Sequence, residues 1–271
     1  MIWLLLLAAA VPERIVSTAP SFTEMLFALG AGDRVVAVST YCHYPPAVDR
    51  LPRIGTYLEP NVEAIIRLRP NLVLVHAEHP QIVRQLRAAG IATLALRNTT
   101  LDETLRSATT IGQAAGRPRE GSALEAKLRQ SLDALRRQTA GPSPPTLLFI
   151  VGRTPGRLDG MLAVGKGSYL NDLIAAAGGR NVLADSPVAY PKISVEGVLR
   201  LNPDVIVDMG DMTFTQGVSP AHTAAVVRLW NTIPGLRAAQ RQKIFAVASD
   251  IYVVPGPRVI DAAAAFRTML Q

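Results

Sequence analysis

Val62-Glu63-Ala64-Ile65-Ile66-Arg67-Leu68-Arg69-Pro70-Asn71-Leu72-Val73-Leu74-Val75 is echoed 133 residues further on (Glu63 to Glu196) by Val195-Glu196-Gly197-Val198-Leu199-Arg200-Leu201-Asn202-Pro203-Asp204-Val205-Ile206-Val207-Asp208. Each copy reads as a short helix with a glutamate in its first turn, a Pro-Asn or Pro-Asp break, and an apolar run of strand length. The spacing is far longer than the roughly 20–50 residues of stacked solenoid repeats, so the chain is expected to form two similar lobes. Strand and helix alternate on either side of each copy, which argues for parallel α/β lobes. Two matched acidic points, Glu63 and Glu196, on a chain of net charge +7 suggest a docking surface.

At 271 residues, 49% of them hydrophobic, the chain can bury a core in each lobe. Its bases are scattered singly, without the clustered arginines and interleaved aromatics of a nucleic-acid groove, so no nucleic acid is expected as partner. Residues 1–10, Met-Ile-Trp-Leu-Leu-Leu-Leu-Ala-Ala-Ala, form an apolar run too short to span a membrane. They read as an export signal, truncated at its basic start, with the mature chain beginning near Val11. Cys42 is the single cysteine, which excludes an internal disulfide and reads as a buried small residue. A soluble, monomeric protein of the periplasm is expected.

The pattern divides the chain into a first α/β lobe at 11–117, a connecting helix at 118–141 and a second α/β lobe at 142–271, with the cleft between lobes as the ligand site. Strands are expected at 14–18, 35–38, 72–75 and 91–96, then at 146–151, 205–208 and 244–247. Ser21 with Glu24 reads as a capping box for a helix over 22–29, and Ser168 as the N-cap of a helix over 169–177. Leu124, Leu128, Leu132 and Leu135 make one apolar stripe on the connecting helix, which should allow only small closure on ligand binding.

Gly160 to Gly167 approaches a phosphate-cradling loop but carries Gly167 where the magnesium-binding hydroxyl belongs, so nucleotide binding is not expected. His76-Ala77-Glu78-His79 at a strand's carboxyl end, with His43 in a tyrosine-rich loop, could ligate zinc, or one histidine could be an axial ligand to cobalt or iron. These histidines leave a metal-dependent enzyme as the rival class, although no nucleophile elbow or carboxylate pair supports catalysis. Tyr41, Tyr44, Tyr57, Tyr190 and Tyr252 all fall in loops rather than on helix faces, where amphipathic rings suit a flat, partly polar ligand.

Ser17 to Glu24, Tyr41 to Pro46, Gly55 to Val75, Gly165 to Ser168 and Pro191 to Glu196 together resemble the periplasmic substrate-binding proteins of ABC importers with a helical backbone, and within them the vitamin B12-binding branch. The resemblance covers nearly the whole chain after the signal. It implies a non-enzymatic carrier of cobalamin or another cobalt-containing corrinoid, which docks on a membrane permease, with its ATPase, through one glutamate of each lobe, here Glu63 and Glu196. It further implies ligand contacts from Tyr57, Tyr190, Tyr41 or Tyr44, His76 in place of a tryptophan, and Asp250. Val254 replaces an arginine, so the site is expected to be less aromatic and differently charged. Haem, or a ferric siderophore, is the alternative cargo. On this reading the repeat serves the permease, and the unmatched loops read the ligand.

Overall fold

The computed structural model describes residues 11–139, 143–210 and 217–271, so the predicted export signal lies outside the described residues. The chain divides into two compact units, residues 11–97 with Leu105–Ala126, and Asn98–Thr104 with Lys127–Gln271.

The first unit runs β1 (Ile15–Ser17), α1 (Pro20–Ala28), β2 (Val35–Val38), α2 (Val62–Arg67), β3 (Leu72–His76), α3 (Pro80–Ala88) and β4 (Ala92–Leu96), followed by most of α4 (Leu101–Ala114) and the start of α5 (Pro118–Thr139). Its sheet has the order β2-β1-β3-β4, and all three pairings are parallel. Central strands covered on both faces must be apolar at every position. Leu72 and Leu74 accordingly join Phe22, Met25 and Leu26 of α1 and Ile111 of α4 in one buried cluster. The alternate residues Val73 and Val75 join Ile65 of α2 and Ile82 and Leu86 of α3 in another. Strand β4 is one of the two edges, and Ala92 and Ala95 are exposed there. A methyl group on Gly112 would lie 2.8 Å from the Gly121 Cα, so α4 and α5 meet backbone to backbone through two glycines.

The second unit continues α5 and adds β5 (Thr146–Gly152), β6 (Leu162–Ala163), α6 (Tyr169–Ala176), β7 (Arg180–Asn181), α7 (Val195–Leu201), β8 (Val205–Asp208), α8 (Pro220–Asn231), α9 (Arg237–Gln240), β9 (Ile244–Ala246) and α10 (Val259–Leu270). Strands β5, β8 and β9 are parallel neighbours. The short β6 and β7 both pair with β5, β6 antiparallel and β7 parallel. Leu148, Ile150 and Ile206 pack with Val198 of α7 and Val226 and Trp230 of α8. Beyond the sheet, Phe149 meets Tyr252 and Phe266 with ring centroids 5.7 and 5.6 Å apart. The segment 98–104 belongs to this unit through the Tyr169 N–H to Thr99 carbonyl bond (2.9 Å) and the Arg129–Asp102 ion pair (2.7 Å).

The α/β class and parallel sheets follow the expectation, and the apolar stripe of α5 is real, with Leu128 and Leu132 buried. The helix is described to Thr139, so the last two residues of the expected range lie outside the described residues. One local expectation is corrected, and further elements are added. Ser21 is not a cap: α1 starts at Pro20 with Ala19 as N-cap, and Ser21 and Glu24 are buried. A proline pre-set to helical φ at the first position opens the helix one residue before the serine. Strands β6 and β7 were not expected, because two residues show no alternation. Helix α8 was passed over although Ser219-Pro220 is a start signal, with Ser219 Oγ accepting from the His222 N–H.

Candidate functional site

The two copies of the repeat adopt one structure down to their fastenings. Asn61 Oδ1 accepts from the Ala64 N–H (2.9 Å) to cap α2, and Ser194 Oγ accepts from the Gly197 N–H (3.3 Å) to cap α7. Each helix ends in a non-glycine residue of positive φ before its proline, Arg69 (46°) and Asn202 (41°). The residue after each proline staples the start of a neighbouring strand. Asn71 Oδ1 accepts from the Glu13 and Arg14 N–H groups (3.1 and 2.9 Å), and Asp204 Oδ2 accepts from the Thr146 N–H (2.9 Å) and Oγ1 (2.7 Å). Burial alone would raise the Asp204 carboxyl pKa, but the bonds from Thr146 and Arg237 outweigh it and hold the value below the usual range.

On this frame Glu63 and Glu196 are both exposed, one in the first turn of α2 and the other in the first turn of α7. A hydrogen bond from Ser194, then its own backbone N–H, lowers the pKa of Glu196, so it stays anionic below the ordinary glutamate range. Three residues on from each glutamate stands an exposed aliphatic side chain, Ile66 at 38% and Leu199 at 37%.

The correspondence also reaches upstream. Tyr57 and Tyr190 stand six residues before their glutamates, at the same offset, and are 40% and 41% exposed. Two of the loop tyrosines thus stand at repeat-equivalent positions rather than in unmatched loops. Tyr57 sits in a turn closed by a bridge between Gly55 and Pro60, where a side chain on Gly55 would lie 2.6 Å from the Glu59 carbonyl. Tyr190 is held against the edge of β6. Gly165 N–H donates to the Ala189 carbonyl (2.8 Å), Ala163 N–H to the Pro191 carbonyl (2.9 Å), and Ser168 Oγ to the Tyr190 hydroxyl (3.2 Å). A methyl group on Gly165 would sit 2.2 Å from the Val188 carbonyl. The Gly165-Lys166-Gly167-Ser168 stretch therefore seats a tyrosine and, as expected, Ser168 also caps α6.

Tyr41 and Tyr44 are exposed too, and Tyr41 lies edge-on to Tyr57 with centroids 6.2 Å apart. Tyr252 departs from the group. It is buried between Phe149 and Phe266, and burial pushes its hydroxyl up to about 12. A loop position in sequence did not imply an exposed ring, because the 3-10 turn at Asp250–Tyr252 folds this residue inward under α10.

His76 ends β3, half-buried against Phe22 (centroids 5.4 Å) and near His79 (6.4 Å). His43 is exposed in its loop. Among the described residues no group of three or more His, Cys, Asp or Glu side chains is arranged to hold a metal ion, so a zinc site built from His43, His76, Glu78 and His79 is not formed. Cys42 is buried as expected, 3.2 Å from both Thr23 Oγ1 and Ser39 Oγ, and burial raises its thiol pKa against those bonds.

Asp250 is gripped by Arg258 through two bonds, 2.9 and 2.8 Å, with both side chains mostly buried. Val254 is itself buried, and Arg258 supplies the cation beside Asp250. Sequence reading missed Arg258 because it lies eight positions from Asp250, across the turn that leads into α10.

Two parallel α/β units carrying matched aromatic and acidic positions define a binding protein in form. Residues 15–248 match the family described as periplasmic binding protein, and the chain belongs to it. It is 31% identical over 269 residues to the vitamin B12-binding protein of Vibrio cholerae, an alignment that covers 98% of this chain and 92% of the relative. The crystal structure of a periplasmic vitamin B12 binding protein of Vibrio cholerae matches 96% of this chain and 97% of its own, with a TM-score of 0.78 and 30% identity. The apo form of a periplasmic haem-binding protein of Roseiflexus sp. RS-1 matches 96% and 99%, with a TM-score of 0.77 and also 30% identity. No helix among the described residues is long and apolar enough to cross a membrane.

Proposed function

We propose that this chain is the solute-binding component of an ABC importer, that it captures cobalamin or a related corrinoid outside the cytoplasm, and that it delivers this cargo to a membrane permease and its ATPase through Glu63 and Glu196. The observation that carries the reading is the matched pair Tyr57 and Tyr190. Each is an exposed aromatic fixed by a tight backbone turn, and each stands at a constant interval before an exposed glutamate. Such rings offer a flat apolar face and a polar edge, which suits a macrocycle with amide side arms. Tyr41 and Tyr44 add aromatic surface in the first unit, and Asp250, oriented by Arg258, adds a fixed acceptor in the second. The likeness to vitamin B12-binding proteins supports the same cargo.

Haem is the second reading. His76, half-buried at a strand end beside Phe22, is the side chain that would favour it as a single axial ligand, and the likeness to a haem-binding protein stands at equal identity. Calorimetric titration with cyanocobalamin and with haemin separates the two. Saturable heat with cyanocobalamin alone is expected, haemin binding that disappears in His76→Ala would transfer the proposal to haem, and no heat with either would reject both. Glu63→Ala with Glu196→Ala is expected to leave ligand affinity within about twofold while abolishing uptake, because rim charges act on encounter and orientation of a partner rather than on the cargo. Lost ligand affinity in that double variant would place the glutamates in the binding site instead.

A further inference from the structure

We propose that each docking face is a mixed patch in which Ile66 beside Glu63, and Leu199 beside Glu196, supply an aliphatic knob. The partner it fits is a membrane protein that twice presents a cationic side chain next to an apolar recess. This rests on the reading of the two glutamates as docking residues. Residues three apart on a helix share a face, so glutamate and knob project together in each copy. Neither knob is required by the core, because the preceding residue, Ile65 or Val198, is fully buried and already anchors the helix. A single exposed aliphatic residue needs no explanation. Two of them at repeat-equivalent positions, 38% and 37% exposed, on helices that share cap, terminating residue and strand staple, are a repeated feature of the surface.

Only two matched pairs occur among the exposed large hydrophobic side chains of the described residues, Tyr57 with Tyr190 and Ile66 with Leu199. The first pair is assigned to cargo, six residues before the glutamates. The second is continuous with the glutamates and separated from the tyrosines by the helix cap. Arg67 and Arg200 complete the match and are exposed as well. Each patch thus carries one acid, one base and one aliphatic group without net charge, which gives an anionic lipid surface nothing to attract and favours a protein that presents the matching charges. Aliphatic groups that fill a recess beside a charge pair exclude water from it and slow dissociation.

The test is sedimentation of the purified full-length chain with right-side-out membrane vesicles from the cells that produce it, and with liposomes of their extracted lipid. The wild type should be retained on vesicles and not on liposomes, and Glu63→Ala with Glu196→Ala should abolish retention. Ile66→Ser with Leu199→Ser should weaken it roughly tenfold with an unchanged melting temperature, and Ile66→Leu with Leu199→Ile should restore it. If the serine pair is retained like wild type while the alanine pair is lost, the knobs play no part and the glutamate reading stands. If the wild type is not retained on vesicles, both fail, and retention on liposomes would replace the protein partner by the lipid surface.

Discussion

The two copies of the helix, turn and strand unit agree from the tyrosine before the helix to the staple after the proline, and part at the fourth residue of the strand. In the first copy that residue is Val75, fully buried among Val16, Val73 and Ile82. In the second it is Asp208, 1% exposed, whose carboxylate accepts from Arg153 Nε (2.9 Å), Trp230 Nε1 (2.6 Å) and the Gly210 N–H (2.7 Å). Arg153 also spends its terminal nitrogen on the Thr154 and Arg157 carbonyls. The same backbone is thus supported by aliphatic packing in one unit and by a satisfied ionic network in the other. What the copies keep in common is the surface they present, and what they have let diverge is how the strand end is buried.

That contrast is sharpest in its response to truncation. Asp208→Ala leaves the Arg153 guanidinium buried without its anion and orphans the Trp230 N–H, and should cost the second unit about 3–5 kcal/mol. Val75→Ala removes only packing atoms and should cost the first unit about 2 kcal/mol. Denaturant unfolding of both variants checks the ranking, and equal losses would show that the network contributes no more than a hydrophobic contact. The next largest pair is the staples. Asp204→Ala should cost about 2 kcal/mol and Asn71→Ala about 1 kcal/mol, because Asp204 also gathers Arg237 (3.2 Å) and Arg241 (2.6 Å) while Asn71 holds two exposed amides. Hydrogen exchange should accelerate at the Thr146 amide in one variant and at the Arg14 amide in the other, with no cross-effect between units.

Much of this division was legible in the sequence. The fold class follows from alternating strand and helix signals, and the repeat locates two helices and two strands to within a residue. The exposed tyrosines are legible because a ring beside Pro45 or Pro191 has no periodic face to join. Other features were hidden for reasons of distance. The Asp208–Arg153 and Asp250–Arg258 pairs join residues that sequence spacing does not relate, and Tyr252 is buried by a turn whose direction no local pattern sets. The equivalence of Tyr57 and Tyr190 was present in the sequence but lies outside the block of continuous similarity, so it becomes visible only once both residues are seen exposed on the same side of their caps.

The smallest expected effect tests a difference between the two copies at the helix cap. The helix cap is asparagine in the first copy and serine in the second, and the Ser194 hydroxyl can both accept from the Gly197 N–H and donate to the Glu196 carboxylate. Donation to the ionised form is what lowers the Glu196 pKa, so this bond is fully present above the ordinary glutamate range near pH ~4.3 and is lost as pH falls through the lower folded value. Ser194→Ala removes the donor, so the Glu196 carboxyl should titrate at higher pH, toward that ordinary range, as followed by carbon-detected NMR. The same change deletes the cap and should cost α7 about 1 kcal/mol. Ser194→Asp separates the two roles, since an aspartate can cap the Gly197 N–H but repels the neighbouring carboxylate. It should recover the cap stability while raising the Glu196 pKa further. A Glu196 titration unmoved by either substitution would show that the backbone N–H alone holds the carboxylate.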